Sequence, residues 1–308
     1  MAEGSVHIQQ ISASEGLLVV GVIQALNGKM KPQVNELTQK AKDWAKRINN
    51  RWLNHRIAWD CLRQMIWPSL SYPLVVCSMS RRQGDQIITK LYRALLPELG
   101  LQKRFPWVWQ YAPVQLQGLA LPHPYLKQEI DHLKILAYMG MSTEILGGFL
   151  WASLEQAQLE IGMGHLILQE DFEKWGFLLT PNCWVGSVGE FVSKYGITVE
   201  APFLVAPKKQ RKGDLYLMEH FMSEDFSVEE LKQLNWCQFE AQVLLLSDIM
   251  VNGGHDIHLP YHNYDERTPR PIRTSKWNWP LQQPTQADWI IWWDTMRRLS
   301  GGSTVRLL

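Results

Sequence analysis

Along most of this chain, apolar residues recur at three- and four-residue spacing, the pattern of helices that bury one face. From Pro32 to Trp52 the positions Val34, Leu37, Ala41, Trp44, Ala45, Ile48 and Trp52 follow that spacing. They predict one long helix with Pro32 in its first turn. Asn54 predicts the N-cap of a following helix that ends before Pro68 or Pro73. Similar periodicity predicts helices over Gln83–Leu96, Tyr125–Met139, Thr143–Ile161, Val185–Tyr195, Trp236–Met250 and Gln286–Leu299. β-rich runs are few. SVHIQQI (5–11) and LLVVGVIQAL (17–26), separated by SASEG, predict an opening hairpin, with Asn27-Gly28 as a turn after it. ITVEAPFLV (197–205) is a further strand candidate. GLALPHP (118–124) reads as a proline- and glycine-marked turn and PKKQRKGD (207–214) as a charged one. No internal repeat or low-complexity tract interrupts the pattern. The expected fold is mainly α: a short N-terminal β-hairpin, a multi-helix bundle, and a second helical region. A boundary near Gly140 gives domains 1–140 and 141–308.

Composition narrows the class of protein. The chain has 308 residues, 46% hydrophobic and 20% charged, which suits a globular protein of two domains. Cys61, Cys77, Cys183 and Cys237 lie far apart and form no Cys-x-x-Cys pair. That argues against a zinc knuckle or disulfide scaffold and fits a reducing, intracellular compartment. GLLVVGVIQAL (16–26) is too short to span a bilayer, and MAEGSVHIQQ does not make a signal peptide, so no membrane partner is expected. The net charge of +1 conceals an asymmetry. Residues 29–104 carry fifteen Lys and Arg against five Asp and Glu, whereas residues 105–206 carry four against ten. A basic first third beside an acidic middle suggests a face that meets a polyanion.

Fifteen tryptophans make the aromatic positions informative, because an indole serves equally as a core anchor and as a stacking surface for bases. On the first predicted long helix, Lys40, Trp44, Arg47 and Arg51 share one flank, while Lys42 and Lys46 take the other. Glu36 and Asp43 sit at the outward pole between them. Such a flank suits phosphate contact with stacking; the structural alternative is a set of cations lying over their own core. In WIIWWDTMRRL (289–299), Trp289, Trp292, Trp293 and Met296 form one stripe, expected as a packing seam or a protein-docking face. The acidic run QEDFEKW (169–175) reads as a solvated helix with Phe172 and Trp175 on its buried side. KKQRKG (208–213) has the composition of a polyanion patch or a solvated turn.

Enzyme motifs are sparse. His255, His258 and His262 have a spacing that can assemble a metal site, but glycine and proline make the stretch a loop without the glutamate of a helical metalloprotease. GMGH (162–165), LGGF (147–150) and VGSVGEF (185–191) complete no phosphate-binding fingerprint. No serine elbow or cysteine nucleophile arrangement is present. No metal or cofactor is expected.

Three longer stretches carry a resemblance: VVGVIQALNGKMKPQVNELTQKAKDWAKRI (19–48), AWDCLRQMIWPSLSYPLVVCSMSRRQGDQI (58–87) and LLPELGLQKRFPWVWQYAPVQLQGLALPHPYLKQEIDHLKIL (95–136). In this order they resemble the region after the catalytic palm in retrotransposon-encoded reverse transcriptases. There a hairpin with a Leu-Gly-Val-like sequence leads into an amphipathic thumb helix. An Ala-Trp helix ending in Ser/Thr-Tyr-Pro-Leu follows, and then a Gly-Leu-Gly-Ile-Pro-like turn. NWCQFEAQVLLLSDIMVNGGHDI (235–257) and KWNWPLQQPTQADWIIWWDTMRRL (276–299) resemble the helical tail beyond it, with the likeness weakest between 140 and 230. The resemblance implies a thumb-like first domain that contacts RNA or RNA–DNA duplex. In its second helix Trp59, Leu62 and Ile66 would face inward, and Arg56 and Arg63 would face template–primer or solvent. The departures are equally specific. No Tyr-x-Asp-Asp turn occurs, the first aspartate is Asp43 inside the helix, and the Leu-Gly-Val element stands as Val20-Gly21-Val22. Two-metal nucleotide transfer needs clustered carboxylates, so no catalytic residue carries over and the chain by itself is expected not to be an enzyme. The rival reading is a Trp-rich helical module that binds a protein partner, or a relic without activity.

Overall fold

The computed structural model describes residues 12, 14–25, 27–49, 53–139, 145–180, 183–200, 209, 212–251, 256–257 and 283–299. They are mainly helical and divide into two compact units. One comprises 1–135 with 182–187, the other 136–181 with 188–308.

The first unit opens on an antiparallel hairpin, β1 (Gly16–Val19) and β2 (Val22–Ala25), in the register Gly16 to Ala25 and Val19 to Val22. The opening hairpin is present, and its described strands both fall within the second β-rich run; the run 5–11 expected to pair with it lies outside the described residues. Val20 and Gly21 make the turn, with φ of 47° and 81°. Positive φ at both centres is what a two-residue turn needs to match strand twist. Gly21 meets that demand without penalty, whereas Val20 meets it with a β-branched side chain. The tyrosine hydroxyl of Tyr72 donates to the Val20 carbonyl at 3.1 Å and so ties the turn down.

Helix α1 (Lys31–Asn49) buries Val34, Leu37, Ala41, Ala45 and Ile48, chiefly against α4 (Arg81–Glu98). Next comes α2 (His55–Cys61), capped by the Asn54 side chain, which accepts the Arg56 amide at 2.9 Å. The helix does not stop before Pro68 or Pro73, contrary to the sequence expectation. It widens into a π segment (Leu62–Ile66), continues as α3 (Trp67–Ser71) through Pro68, and tightens to a 3₁₀ turn (Tyr72–Val76) holding Pro73. The buried residues explain this path. Ala58, Leu62, Ile66, Leu70 and Leu74 are all buried at a strict spacing of four. In a 3.6-residue helix each such step drifts by about 40°, so the stripe would wind off the core within a few turns. A π turn has more than four residues per turn and takes the drift back. It also frees the backbone just ahead of Pro68, which has no N–H to give.

Helix α4 starts with a capping box: Ser80 accepts the Gln83 amide while the Gln83 side chain accepts the Ser80 amide. It buries Ile87, Ile88, Leu91, Tyr92 and Leu95. A helical turn α5 (Trp107–Tyr111) and the stretch 118–123 lead to α6 (Pro124–Met139). The buried amide of Gln128 clamps the Met79 backbone from both sides, accepting from its N–H at 2.9 Å and donating to its carbonyl at 3.2 Å.

The second unit contains α7 (Ile145–Ile161), the short α8 (Phe172–Trp175) and α9 (Trp184–Tyr195, from Val188 onward). Trp175 is fully buried, as the reading of QEDFEKW expected, with Phe172 edge-on to it at 4.8 Å between ring centroids. Gly189 of VGSVGEF is a spacing residue, since a Cβ there would come within 2.5 Å of the Trp175 ring. Further on are α10 (Leu217–Ser223), α11 (Val228–Ala241), a two-residue pair β3 (Met250–Val251) and β4 (Asp256–Ile257), and α12 (Gln286–Leu299). The helix expected over Trp236–Met250 is corrected to Val228–Ala241. A capping box of Ser227 and Glu230 starts it, and Gln242 ends it in the left-handed region at φ 58°. Residues 197–200 form no strand, and 201–205 lie outside the described residues.

Candidate nucleic-acid interface

Each proposed contact residue of the first unit can be followed to its place. Lys40 on α1 is partly exposed and sits 3.4 Å from the Glu36 carboxylate one turn back. Trp44 is half-buried, and its indole N–H donates to the Ser69 hydroxyl at 3.2 Å. The Arg47 guanidinium lies over the Trp44 ring, 5.0 Å from its centroid, with the side chain otherwise exposed. Arg51 lies outside the described residues. On the next helix Leu62 and Ile66 are buried and Trp59 is half-buried against the same core, while Arg56 and Arg63 are exposed. Arg63 lies 5.2 Å from the centroid of the Trp59 ring.

Two arginine-on-tryptophan pairs therefore recur on neighbouring elements. In each, the ring that helps cover the core also carries a guanidinium. Stacking of this kind holds the planar fork in one orientation and leaves its outer donors available for a phosphate. In each pair the arginine covers part of one face of the ring.

Further cations that the helix periodicity alone did not single out stand on α4 and after it. Arg82, Lys90 and Arg93 occupy the exposed side of α4, and Lys103 and Arg104 follow in the turn beyond. Among the described residues, none of these five, nor Arg47, Arg56 or Arg63, has a carboxylate oxygen within 4.0 Å. The signal was present in the sequence as cations at positions 82, 90 and 93 interleaved with the apolar residues 87, 88, 91 and 95.

Two polar clusters deserve separation from that surface. His123 is buried, donates from Nε2 to exposed Asp85 at 2.9 Å, and accepts the Tyr125 amide on Nδ1 at 3.1 Å. Both ring nitrogens are engaged in the neutral tautomer. Burial holds its pKa below the ordinary value, against the opposing pull of Asp85. Tyr111 meets the His123 ring edge-on at 5.3 Å, and burial, with Asp85 nearby, pushes its phenol up to about 12. These contacts fasten the 118–124 turn to α4. In the other cluster, buried Glu129 accepts from the Ser187 hydroxyl at 2.5 Å and from Gln128 at 2.7 Å, with His132 3.6 Å from its other oxygen. The serine proton is directed at the carboxylate and not at the histidine. That is the reverse of a nucleophile-activating order, so the cluster braces the unit.

The described part of the second unit places the stripe of α12 indoors. Trp289, Trp292, Trp293 and Met296 are all buried, with Trp292 edge-on to Phe221 at 5.9 Å. This removes the stripe as a free protein-docking face and leaves it a packing seam. His255, His258 and His262 lie outside the described residues. Among the described residues no group of three or more His, Cys, Asp or Glu is arranged to hold a metal ion, and no helix is long and apolar enough to cross a membrane. Of the 208–213 run only Lys209, Lys212 and Gly213 are described, and Lys209 lies over the Tyr216 ring at 5.5 Å.

No family model, curated protein or solved structure matches the chain.

Proposed function

We propose that this chain is a non-catalytic relative of the post-palm region of a retrotransposon reverse transcriptase. Its first unit contacts RNA or RNA–DNA duplex through the phosphate backbone, without sequence preference. The observation that supports this is the exposed cation set of α1, α2, the π segment and α4, in which Arg47 and Arg63 are pre-ordered over tryptophan rings. Phosphate contacts of this kind bind any sequence and weaken steeply with salt, because releasing counterions into a more concentrated solution gains less free energy.

The test is fluorescence anisotropy with labelled duplexes of unrelated sequence across a salt series. The triple variant Arg47→Gln, Arg56→Gln, Arg63→Gln should bind all of them more weakly and to the same degree. Its salt slope should flatten by about 0.9 per lost contact, while circular dichroism stays that of the parent because the buried stripe is untouched. An unchanged slope in the folded variant removes these arginines from the interface. The non-catalytic part is tested by primer extension with Mg²⁺ or Mn²⁺, where template-dependent incorporation by the pure chain would overturn it.

A further inference from the structure

We infer that the knuckle from Lys103 to Leu116 binds unpaired nucleotides, with bases stacked on Trp107 and Trp109 and phosphates held by Lys103 and Arg104. This deepens the proposed reading and rests on its premise that the first unit meets nucleic acid. Trp107 is 63% exposed and Trp109 45%, flanked by exposed Val108, Val114 and Leu116. Other apolar residues of the unit are exposed too, Leu18, Val20, Ile57 and Met65 among them, but among the described residues the tryptophans that stand exposed are Trp107 and Trp109, both on one helical turn.

The rings stand on a fixed backbone. The Trp109 carbonyl accepts the Leu119 amide at 2.9 Å, the Gln110 carbonyl accepts Leu121 at 2.8 Å, and the Ala112 carbonyl accepts Ala120 at 2.9 Å. The Gln110 side-chain amide donates to the Phe105 carbonyl at 2.6 Å, and Tyr111 is lodged between Tyr92 and His123. A ligand therefore meets surfaces whose ordering cost is already met.

The charge of the segment selects a polyanion. From Leu99 to Gln128 the sequence contains no Asp or Glu, while Lys103 and Arg104 are exposed just ahead of the tryptophans. Bases inside a duplex are already stacked on each other, so an exposed indole gains a partner from an unpaired strand. Trp107 and Trp109 are two apart on one helical turn and do not face each other, so each serves its own base. The natural ligand is thus a single-stranded extension flanking a duplex.

The experiment uses the whole chain and anisotropy with a blunt duplex, the same duplex with a short unpaired extension, and the single strand alone. The extension, made in DNA and in RNA, should raise affinity at least about thirtyfold, the effect of roughly two stacked bases. Trp107→Ala with Trp109→Ala should erase that gain and leave blunt-duplex binding unchanged, and replacement of both by Phe should restore part of it. Circular dichroism checks that each variant is folded. A duplex that binds equally well with and without its extension overturns this inference alone, as does a gain that survives the double Ala variant. Binding of the single strand without the blunt duplex overturns the duplex reading and supports this one. If instead the parent self-associates, the double Ala variant is monomeric and nucleic-acid affinity is unmoved, the knuckle is a protein surface and the inference falls.

Discussion

Two sets of tryptophans divide the molecule. In the first unit Trp44 and Trp59 lie half in the core with an arginine over each ring, and Trp107 and Trp109 stand largely in solvent. In the second unit Trp175, Trp289, Trp292 and Trp293 are buried and meet other aromatic rings. The local sequences do not differ in kind: both AWDCLRQMIW and WIIWWDTMRR mix tryptophan with arginine. Spacing does not separate them, since Arg63 follows Trp59 by four residues and Arg297 follows Trp293 by four. What differs is the depth of the ring: Arg63 lies over a half-buried Trp59, whereas Trp293 is buried and Arg297 lies 3.4 Å from Asp294. An indole half in the core can act as a platform for charge; one wholly inside can only fill volume. The first unit therefore carries the surface chemistry, and the second invests its aromatic mass in packing.

The sharpest way to break this contrast is to truncate one ring from each set. Trp292→Ala removes a fully buried ring and should destabilise the chain by about 3–5 kcal/mol, read from urea unfolding. Trp107→Ala should change stability by less than about 0.5 kcal/mol, the range of ordinary surface changes. Equal losses would show that exposure does not distinguish the two sets. Both units also depend on a capping box, so Ser80→Ala and Ser227→Ala should each cost about 1 kcal/mol. That places helix initiation on the same footing in both, and a cost in only one unit would make the other helix independent of its cap.

A smaller effect is expected at the hairpin. Val20→Asn puts the preferred Asn-Gly pair in the turn and relieves a β-branched residue at φ 47°, stabilising by up to about 1 kcal/mol. Amide exchange of the Val22–Ala25 strand should slow accordingly, and faster exchange would show that the Tyr72 contact with Val20 depends on the valine. The mildest effect is on pH dependence. His123 is held neutral in the fold by burial, with its pKa below the ordinary 6.5. The unfolded chain takes up the proton first, so the stability His123 contributes is present above pH 6.5 and is lost as pH falls from there through the lower folded value. The urea midpoint should fall over that window, and His123→Gln should lack this component of the fall.

The sequence by itself determined most of the helices. Periodicity marked α1, α4, α6, α7, α9 and α12 because each buries one face, and Asn54 declared its cap through a side chain whose chemistry is local. It also declared the charge asymmetry and the stripe of α12. Three features escaped the periodicity, and the first two were decided by tertiary structure. The run GLLVVGVIQAL reads as a single strand, because nothing in periodicity says that Val20 will accept positive φ once Tyr72 holds its carbonyl. The prolines at 68 and 73 read as stops, because the advantage of keeping Ala58, Leu62, Ile66, Leu70 and Leu74 on one core line exists only when that core is present. The α11 start was written locally at Ser227 and Glu230, but the apolar residues after Ala241 outweighed it in the pattern. The same division runs through the interface. Lys and Arg positions are legible from composition, whereas which cation is paired, which lies over a ring and which stands free depends on neighbours brought together from distant sequence. Local spacing sets what a segment can become, and the long-range burial of its apolar residues selects which of those forms is kept.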